Sequence, residues 1–199
     1  YIIIYMKVFH YLFYIFLAYI SFSIVEYCIH RYLMHNGNIY IGKYHLIHHM
    51  HTEYDMTLND KTKKYEELSI SENLGFEEFE VAILLLLVIT FAFAFKYMYP
   101  IKLNIYVLLM INIMFFIYIV ILWNSIHPFL HHKCPTKLGL IGIPYEYTEY
   151  LVKNSSYMQF LIDNHMTHHN VKGKNKGNYN VTLIGADFLF NTYNIKKVK

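Results

Sequence analysis

The chain has 199 residues, of which 56% are hydrophobic and 16% charged, a composition that excludes intrinsic disorder and suits one domain spanning residues 1–199. Its net charge of +3 is too small to indicate a nucleic-acid-binding protein. Its two cysteines, Cys28 and Cys134, cannot build a disulfide framework and are interpreted as unrelated free thiols. The 13 histidines are the excess that requires a functional explanation.

Three long apolar stretches predict membrane-spanning helices. The first contains 18 consecutive residues without Asp, Glu, Lys or Arg, between Lys7 and Glu26. It continues into charged sequence without a small-residue cleavage site, which disfavours a cleaved signal peptide. The other two stretches are separated by Pro100 and predict a helical hairpin. Helices are therefore expected near residues 8–29, 80–99 and 102–123.

This arrangement predicts which segments share a side of the membrane. A hairpin begins and ends on one face, so residues 30–79 and 124–199 are expected to form a helical cap there. The cap would contain every histidine except His10. It would also contain all but three of the 17 Lys and Arg residues, the exceptions being Lys7, Lys96 and Lys102. The positive-inside rule therefore places the cap in the cytosol, where the sequons at Asn154 and Asn180 stay unglycosylated.

Ten histidines of the cap occur in four clusters. Residues three and four apart share one face of an α-helix, so each cluster is expected to point two or three imidazoles in one direction. Four such clusters supply enough ligands for two metal ions, and nitrogen ligands without thiolates suit iron or zinc. The clusters are H-x4-H at His30 and His35, H-x2-H-H at His45, His48 and His49, H-x3-H at His127 and His131, and H-x2-H-H at His165, His168 and His169.

Three histidines are not predicted to be ligands. His10 lies in the first apolar stretch and is expected to be partly buried or interfacial. His51 is expected to be exposed or to line the site. His132 lies about 100° around a helix from His131 and is ranked below it.

The order and content of the clusters resemble the histidine boxes of the fatty acid hydroxylase/sterol desaturase superfamily, over most of residues 24–193. The matching segments are EYCIHRYLMH at 26–35, YHLIHH at 44–49, NSIHPFLH at 124–131 and NHMTHH at 164–169. The tail, with GNY at 177–179 followed by Asp187, Phe190 and Thr192, is similar to the G-N-Y…W-D-x-x-F-G-T ending of sterol-type members. Ala186 and Asn191 replace the usual Trp and Gly of that ending.

The resemblance implies an all-α integral membrane protein whose cytosolic helical cap holds a di-metal site. The two metals are normally iron, and zinc can occupy the site in the purified protein. It implies an O2-dependent oxidoreductase that hydroxylates or desaturates a membrane lipid such as a fatty acyl chain or sterol. Electrons are expected from a separate donor such as cytochrome b5 and its reductase. The C-terminal KKVK is similar to a dilysine retrieval signal of the endoplasmic reticulum. The implied ligands are His30, His35, His45, His48, His49, His127, His131, His165, His168 and His169.

Some features leave alternatives open. Pro128 lies inside the third box and is expected to kink or start a helix. Glu26, Asp163 and Asp187 either accept a hydrogen bond from a ligand imidazole or are structural, and the structural role is favoured for Asp187. No catalytic residue beyond the ligands is identified. The alternative functions are a histidine-rich metal-binding or transport protein, and an inactive homologue whose metal only holds the fold. Transport is disfavoured because transporter ligands lie near the bilayer midplane.

Overall fold

The computed structural model of the chain describes residues 2–57, 75, 78–99, 103–131, 142–171, 173 and 176–195. Within these ranges the structure is helical and contains no β-strand, which confirms the predicted all-α class for this part of the chain. The elements are α1 (Ile2–Cys28), a π-helical segment (Ile29–Met34) that continues α1, α2 (Tyr40–His51), α3 (Glu78–Met98), α4 (Ile105–Leu130), α5 (Tyr145–Asn154), α6 (Ser156–Asn170) and α7 (Ala186–Leu189).

Among the described residues, three helices are long and apolar enough to cross a bilayer, as the sequence predicts. They comprise Tyr5–Met34, Phe79–Met98 and Ile105–Leu130. About 20 apolar residues span the hydrocarbon core, so each helix has sufficient length. The first and third extend beyond the predicted ends at residues 29 and 123. His30 and His127 therefore lie within the last turns of these helices, whereas the prediction placed them outside the spans.

The three long helices pack around buried small and aromatic side chains. Ala18 of α1 and Ala92 of α3 are fully buried, and small residues allow such helices to approach closely. The hydroxyl of Tyr14 donates a 2.7 Å hydrogen bond to Oδ1 of Asn112, and Nδ2 of Asn112 donates to the carbonyl of Val88 at 2.7 Å. This polar bridge joins α1, α4 and α3 in their apolar interior.

The outward faces of the same helices are apolar. Phe16, Leu86 and Met114 are each exposed over at least 60% of their surface. Large apolar side chains rarely form such continuous exposed surfaces in soluble proteins. Contact with lipid is the environment that suits these faces.

The end of α4 packs against α6 and thereby places the third and fourth boxes together. Leu122 and Ile126 of α4 form a buried cluster with Met158 and Leu161 of α6. The Ser155 hydroxyl caps α6 by accepting a hydrogen bond from the Met158 N–H. Pro128 does not start a helix, because α4 continues through it to Leu130.

Candidate metal centre

The four histidine boxes converge where the first and third long helices end. Nine of the ten predicted ligands form two groups, and within each group the ligand nitrogens lie within 4.8 Å of one another. We name these groups by their size. The five-histidine group consists of His30, His35, His45, His49 and His168, and the four-histidine group of His48, His127, His131 and His169.

The first box depends on a local departure from α-helical geometry. Residues five apart lie about 140° from each other around an α-helix, so an H-x4-H pair would diverge there. His30 lies within the π-helical segment, and His35 follows its last residue. Hydrogen bonds of a π-helix join residues five apart. The two imidazoles accordingly stack, with ring centroids 5.2 Å apart and an interplanar angle of 19°. The π-helical turn converts the H-x4-H spacing into a shared face.

Nε2 atoms converge in the five-histidine group. Nε2 of His45 lies 3.0 Å from Nε2 of His30 and 3.0 Å from Nε2 of His49. Nε2 of His168 lies 3.1 Å from Nε2 of His49 and 3.0 Å from Nε2 of His35. Five nitrogens from three separate boxes therefore face a common centre.

The four-histidine group surrounds His48, which comes from α2. Its ring centroid lies 5.0 Å from that of His127, 4.4 Å from that of His131 and 4.9 Å from that of His169. His127 and His131 share a face of α4, as their spacing predicts, with centroids 5.1 Å apart.

Two H-H dipeptides, at 48–49 and 168–169, are each divided between the two groups. His48 and His49 are neighbours in sequence, and so are His168 and His169, yet one member of each pair belongs to each group. Neighbours on a helix point about 100° apart, so a single dipeptide reaches two adjacent centres. The prediction that His45 shares its face with both His48 and His49 is correct only for His49.

His165 stands next to both groups without belonging to either. It is fully buried, and its Nε2 lies 3.1 Å from Nε2 of His169. Its ring centroid lies 4.8 Å from that of His127. The tenth predicted ligand therefore borders the four-histidine group.

Burial keeps the imidazoles neutral. Burial lowers the pKa of His45, His48 and His168 well below the ordinary histidine value, and the neighbouring imidazoles lower it further. Burial and then the Lys176 ammonium lower the pKa of His35 to about 3. A neutral imidazole carries a lone pair, which is the form that binds a metal ion.

Backbone carbonyls select the ring nitrogen that faces the centre. A carbonyl oxygen only accepts hydrogen bonds, so an imidazole nitrogen beside it must carry the proton. Nδ1 donates to the Tyr179 carbonyl from His30 at 2.6 Å and to the Gly177 carbonyl from His168 at 2.7 Å. The lone pairs of these two rings are consequently on Nε2, which points into the five-histidine group. Nδ1 of His131 likewise donates to the Met56 carbonyl at 2.8 Å.

The hydrogen bonding of the buried ring nitrogens indicates whether a metal ion fits the site. Both nitrogens of His48, and Nδ1 of His165 and of His169, have no hydrogen-bond partner among the described residues. Unsatisfied buried polar atoms cost roughly 1–3 kcal/mol each. In the five-histidine group, the Nε2 lone pairs of His30 and His168 lie 3.0–3.1 Å from Nε2 atoms of neighbouring rings. A cation in the four-histidine group would bind one nitrogen of His48, and a cation in the five-histidine group would bind the Nε2 lone pairs of His30 and His168. An all-nitrogen donor set suits iron or zinc.

The acidic residues that the sequence singles out do not touch the imidazoles. The Glu26 carboxylate accepts hydrogen bonds from the N–H groups of Val181, Thr182 and Leu183. Asp187 is buried and accepts from the N–H groups of Tyr179 and Asn180. Asp163 is exposed. Of the two alternatives, a direct bond to a ligand ring is therefore excluded for Glu26 and Asp187, and these contacts agree with the structural role favoured for Asp187.

Among the described residues, the remaining histidines and Cys28 belong to neither group. His10 lies near the N-terminus of α1, and its Nδ1 is hydrogen-bonded to the hydroxyl of Tyr99, the residue that follows α3. His51 is half-buried and belongs to neither group. Cys28 is a free thiol, and His132 and Cys134 lie outside the described residues.

Two residues of the site were not identified from the sequence. Nζ of Lys176 lies 3.2 Å from Nδ1 of His35. Trp123 is buried, with its ring centroid 6.1 Å from that of His30 and 5.1 Å from that of His127. Trp123 precedes His127 by one helical turn, a spacing that predicts contact. The position of Lys176 depends on the fold of the tail, and the sequence carries no local signal for it.

No protein-family model, curated protein sequence or solved structure matches the chain.

Proposed function

We propose that the protein is a membrane-bound di-iron oxidoreductase that uses O2 to hydroxylate or desaturate a lipid. The observation that carries the proposal is the pair of adjoining all-histidine groups at the ends of helices able to cross a bilayer. A structural metal needs only four ligands, and one closed site would satisfy that role. The two groups adjoin through His49 and His169, whose ring centroids lie 4.0 Å apart. This arrangement favours a two-metal centre.

The chemistry that two bound iron ions would supply is reduction of O2 coupled to oxidation of an unactivated C–H bond. For hydroxylation, the balance requires two electrons and two protons from a donor for each O2, with one oxygen atom leaving as water. A separate donor such as cytochrome b5 with its reductase is part of the proposal. The protein's share is to hold neutral imidazoles around the centre and to keep Nδ1 protonated at His30 and His168.

The substrate of the proposed enzyme is a lipid because the site lies where the long helices end. The lipid-facing surfaces of these helices reach the same level as the histidines, since His30 and His127 lie within the spans. A fatty acyl chain or a sterol dissolved in the bilayer would approach along this surface. The cytosolic orientation is proposed from the charge distribution, and the endoplasmic reticulum is the membrane proposed for the protein.

The deciding experiment purifies the protein in detergent, counts bound metal and assays the iron-loaded form with O2, a reductant and membrane lipids. About two metals per chain and an oxygenated or desaturated lipid are expected. His48→Ala and His168→Ala should each lose one metal and the lipid product. Two metals without any O2- and reductant-dependent product would favour the metal-binding alternative or an inactive homologue. For orientation, efficient glycosylation at the exposed Asn154 would contradict the cytosolic assignment.

A further inference from the structure

One peptide group of the tail connects a buried carboxylate to a histidine of the metal centre. The carbonyl of Tyr179 accepts the 2.6 Å hydrogen bond from Nδ1 of His30. The N–H of the same peptide group, which belongs to Asn180, donates to Oδ2 of Asp187 at 2.7 Å. The order of hydrogen bonds is therefore carboxylate, peptide N–H, peptide C=O and imidazole N–H.

The carboxylate of Asp187 is itself firmly held. It is 1% exposed, and its Oδ1 accepts from the Tyr179 N–H at 2.9 Å and from the Thr192 hydroxyl at 2.8 Å. The Asp187 N–H donates back to Oδ1 of Asn180 at 3.0 Å. A carboxylate with this many donors has one orientation, so the peptide that it contacts is fixed in plane as well as in position.

We propose that Asp187 is a positioning residue for the five-histidine group, acting on His30 through the peptide between Tyr179 and Asn180. The inference rests on the proposal that the two histidine groups bind metal. Negative charge beside the Asn180 N–H polarises the peptide and strengthens its carbonyl as an acceptor, because hydrogen bonds in series reinforce one another in a low-dielectric interior. A stronger acceptor at Nδ1 fixes the ring and raises the basicity of Nε2.

A second peptide group of the tail orients the ring of His168. The Gly177 carbonyl accepts from Nδ1 of His168 at 2.7 Å, and the N–H of that peptide, from Asn178, donates to the Thr192 carbonyl at 3.1 Å. Thr192 therefore supports both peptides, through its hydroxyl on Asp187 and through its carbonyl. The G-N-Y segment, Asp187 and Thr192 thus form one hydrogen-bonded unit, which orients the two ligands His30 and His168.

This hydrogen-bonded unit of the tail acts on the five-histidine group alone. Both rings that the tail orients, His30 and His168, belong to the five-histidine group. In the four-histidine group, the comparable contact joins His131 to the Met56 carbonyl, from the segment that follows α2. Loss of the Asp187 charge should therefore weaken one metal site and spare the other, whereas a general loss of folding would weaken both.

The test compares Asp187→Asn with Asp163→Asn, which removes the same charge from an exposed position on the histidine-bearing helix α6. Each full-length variant, in detergent, is titrated with Co²⁺ against a chelator, and the absorption spectrum of bound Co²⁺ is recorded. In Asp187→Asn the affinity for one metal equivalent should fall about 10- to 100-fold with an altered spectrum, as for other residues that orient metal ligands. The second equivalent, and both equivalents in Asp163→Asn, should be unchanged.

Single-site backgrounds identify which equivalent changes. In His48→Ala, which retains the five-histidine group, Asp187→Asn should weaken Co²⁺ binding; in His168→Ala, which retains the four-histidine group, it should have no effect. If Asp187→Asn does not fold, Thr192→Val removes the 2.8 Å hydroxyl bond to the carboxylate, together with a 3.4 Å bond to the Tyr27 hydroxyl, and keeps the Thr192 carbonyl. It should weaken the same equivalent by a smaller factor.

Equal weakening of both equivalents, or of neither, would overturn the role of Asp187. In that case two equivalents bound by the unaltered protein would leave the proposed function standing. Failure of the unaltered protein to bind any metal would overturn both proposals together.

Discussion

His49 and His169 stack face to face, with ring centroids 4.0 Å apart and an interplanar angle of 23°, yet they belong to different histidine groups. Each is the second member of an H-H dipeptide, and each dipeptide supplies both groups. The two groups are therefore built from the same pair of helices, α2 and α6, and share their supporting backbone. They are nevertheless distinct in their remaining ligands, which allows each to be removed separately.

Replacing one central histidine of each group should remove one metal at a time. His48→Ala takes away the ring that the other members of the four-histidine group surround, and His168→Ala takes away the ring facing His35 and His49. Each variant is expected to retain about one metal per chain, measured by elemental analysis. His10→Gln, at the opposite end of α1, is the control and should retain both. Loss of both metals in either variant would show a single, indivisible site.

Lys176 should oppose metal binding. An imidazole that binds metal through Nε2 carries its proton on Nδ1, and the Lys176 ammonium lies 3.2 Å from Nδ1 of His35. The ammonium must therefore move away for His35 to bind in this way. Its charge also repels a cation. Lys176→Met is expected to tighten binding at the five-histidine group about two- to tenfold, the size of a solvent-screened charge interaction.

The control for this prediction is Lys153→Met, which removes an exposed lysine paired with Glu149 on α5. It should leave the metal affinity unchanged in a chelator competition assay. Weaker binding in Lys176→Met would show that the lysine supports the site instead of competing with the metal.

Gly177 should tolerate no side chain. A Cβ at this position would lie 1.9 Å from the Thr192 carbonyl oxygen and 2.7 Å from Nδ2 of Asn194. Gly177→Ala must therefore displace the backbone whose carbonyl orients His168, at a cost of about 1–3 kcal/mol for overpacking. Loss of one metal equivalent and a lower unfolding temperature are expected together.

Gly173→Ala is the matched substitution for that experiment. Gly173 has a φ of +73°, so alanine is strained there, but a Cβ would meet nothing within 4 Å. It should cost about 1 kcal/mol while leaving the metal count intact. An unchanged metal count in Gly177→Ala would show that the tail does not support metal binding.

The sequence predicts those features of the fold and site that depend on local spacing. The apolar stretches locate the three long helices, and pairs such as His127 and His131 share a face because four residues make about one helical turn. The division of His48 and His49 between two groups was not predicted, although it also follows from helical geometry because neighbours diverge by about 100°. All of these relationships lie within one helix.

The features that the sequence does not reveal involve distant segments or unusual backbone. The first box functions through a π-helical turn, which has no clear signature in the residues between His30 and His35. The contact of His30 with Tyr179 joins residues 149 positions apart and uses a backbone carbonyl, so no side-chain motif reports it. The G-N-Y motif marks the right segment, but only the folded tail shows that its carbonyls accept hydrogen bonds from His30 and His168.

The polar bridge inside the long helices should contribute to stability without affecting the metal centre. Asn112→Leu removes the acceptor for the Tyr14 hydroxyl and the donor to the Val88 carbonyl. Hydrogen bonds between membrane helices contribute on average about 0.6 kcal/mol and at most about 1.7 kcal/mol. The variant is therefore expected to unfold about 1–3 kcal/mol more easily in bilayer-like micelles while retaining its metal.

A double-mutant cycle with Tyr14→Phe isolates one bond of this bridge. The hydroxyl of Tyr14 is buried and lies 2.7 Å from Oδ1 of Asn112, so the two substitutions should be non-additive by about 0.6–1.7 kcal/mol in the free energy of unfolding. Met114→Leu, on the lipid-exposed face of α4, should leave stability within about 0.5 kcal/mol of the unaltered protein. Strict additivity of the Tyr14 and Asn112 substitutions would mean that the bond contributes nothing to helix association. The packing of Ala18, Ala92 and their neighbours, together with the bond from Asn112 to the Val88 carbonyl, would then hold the three helices together.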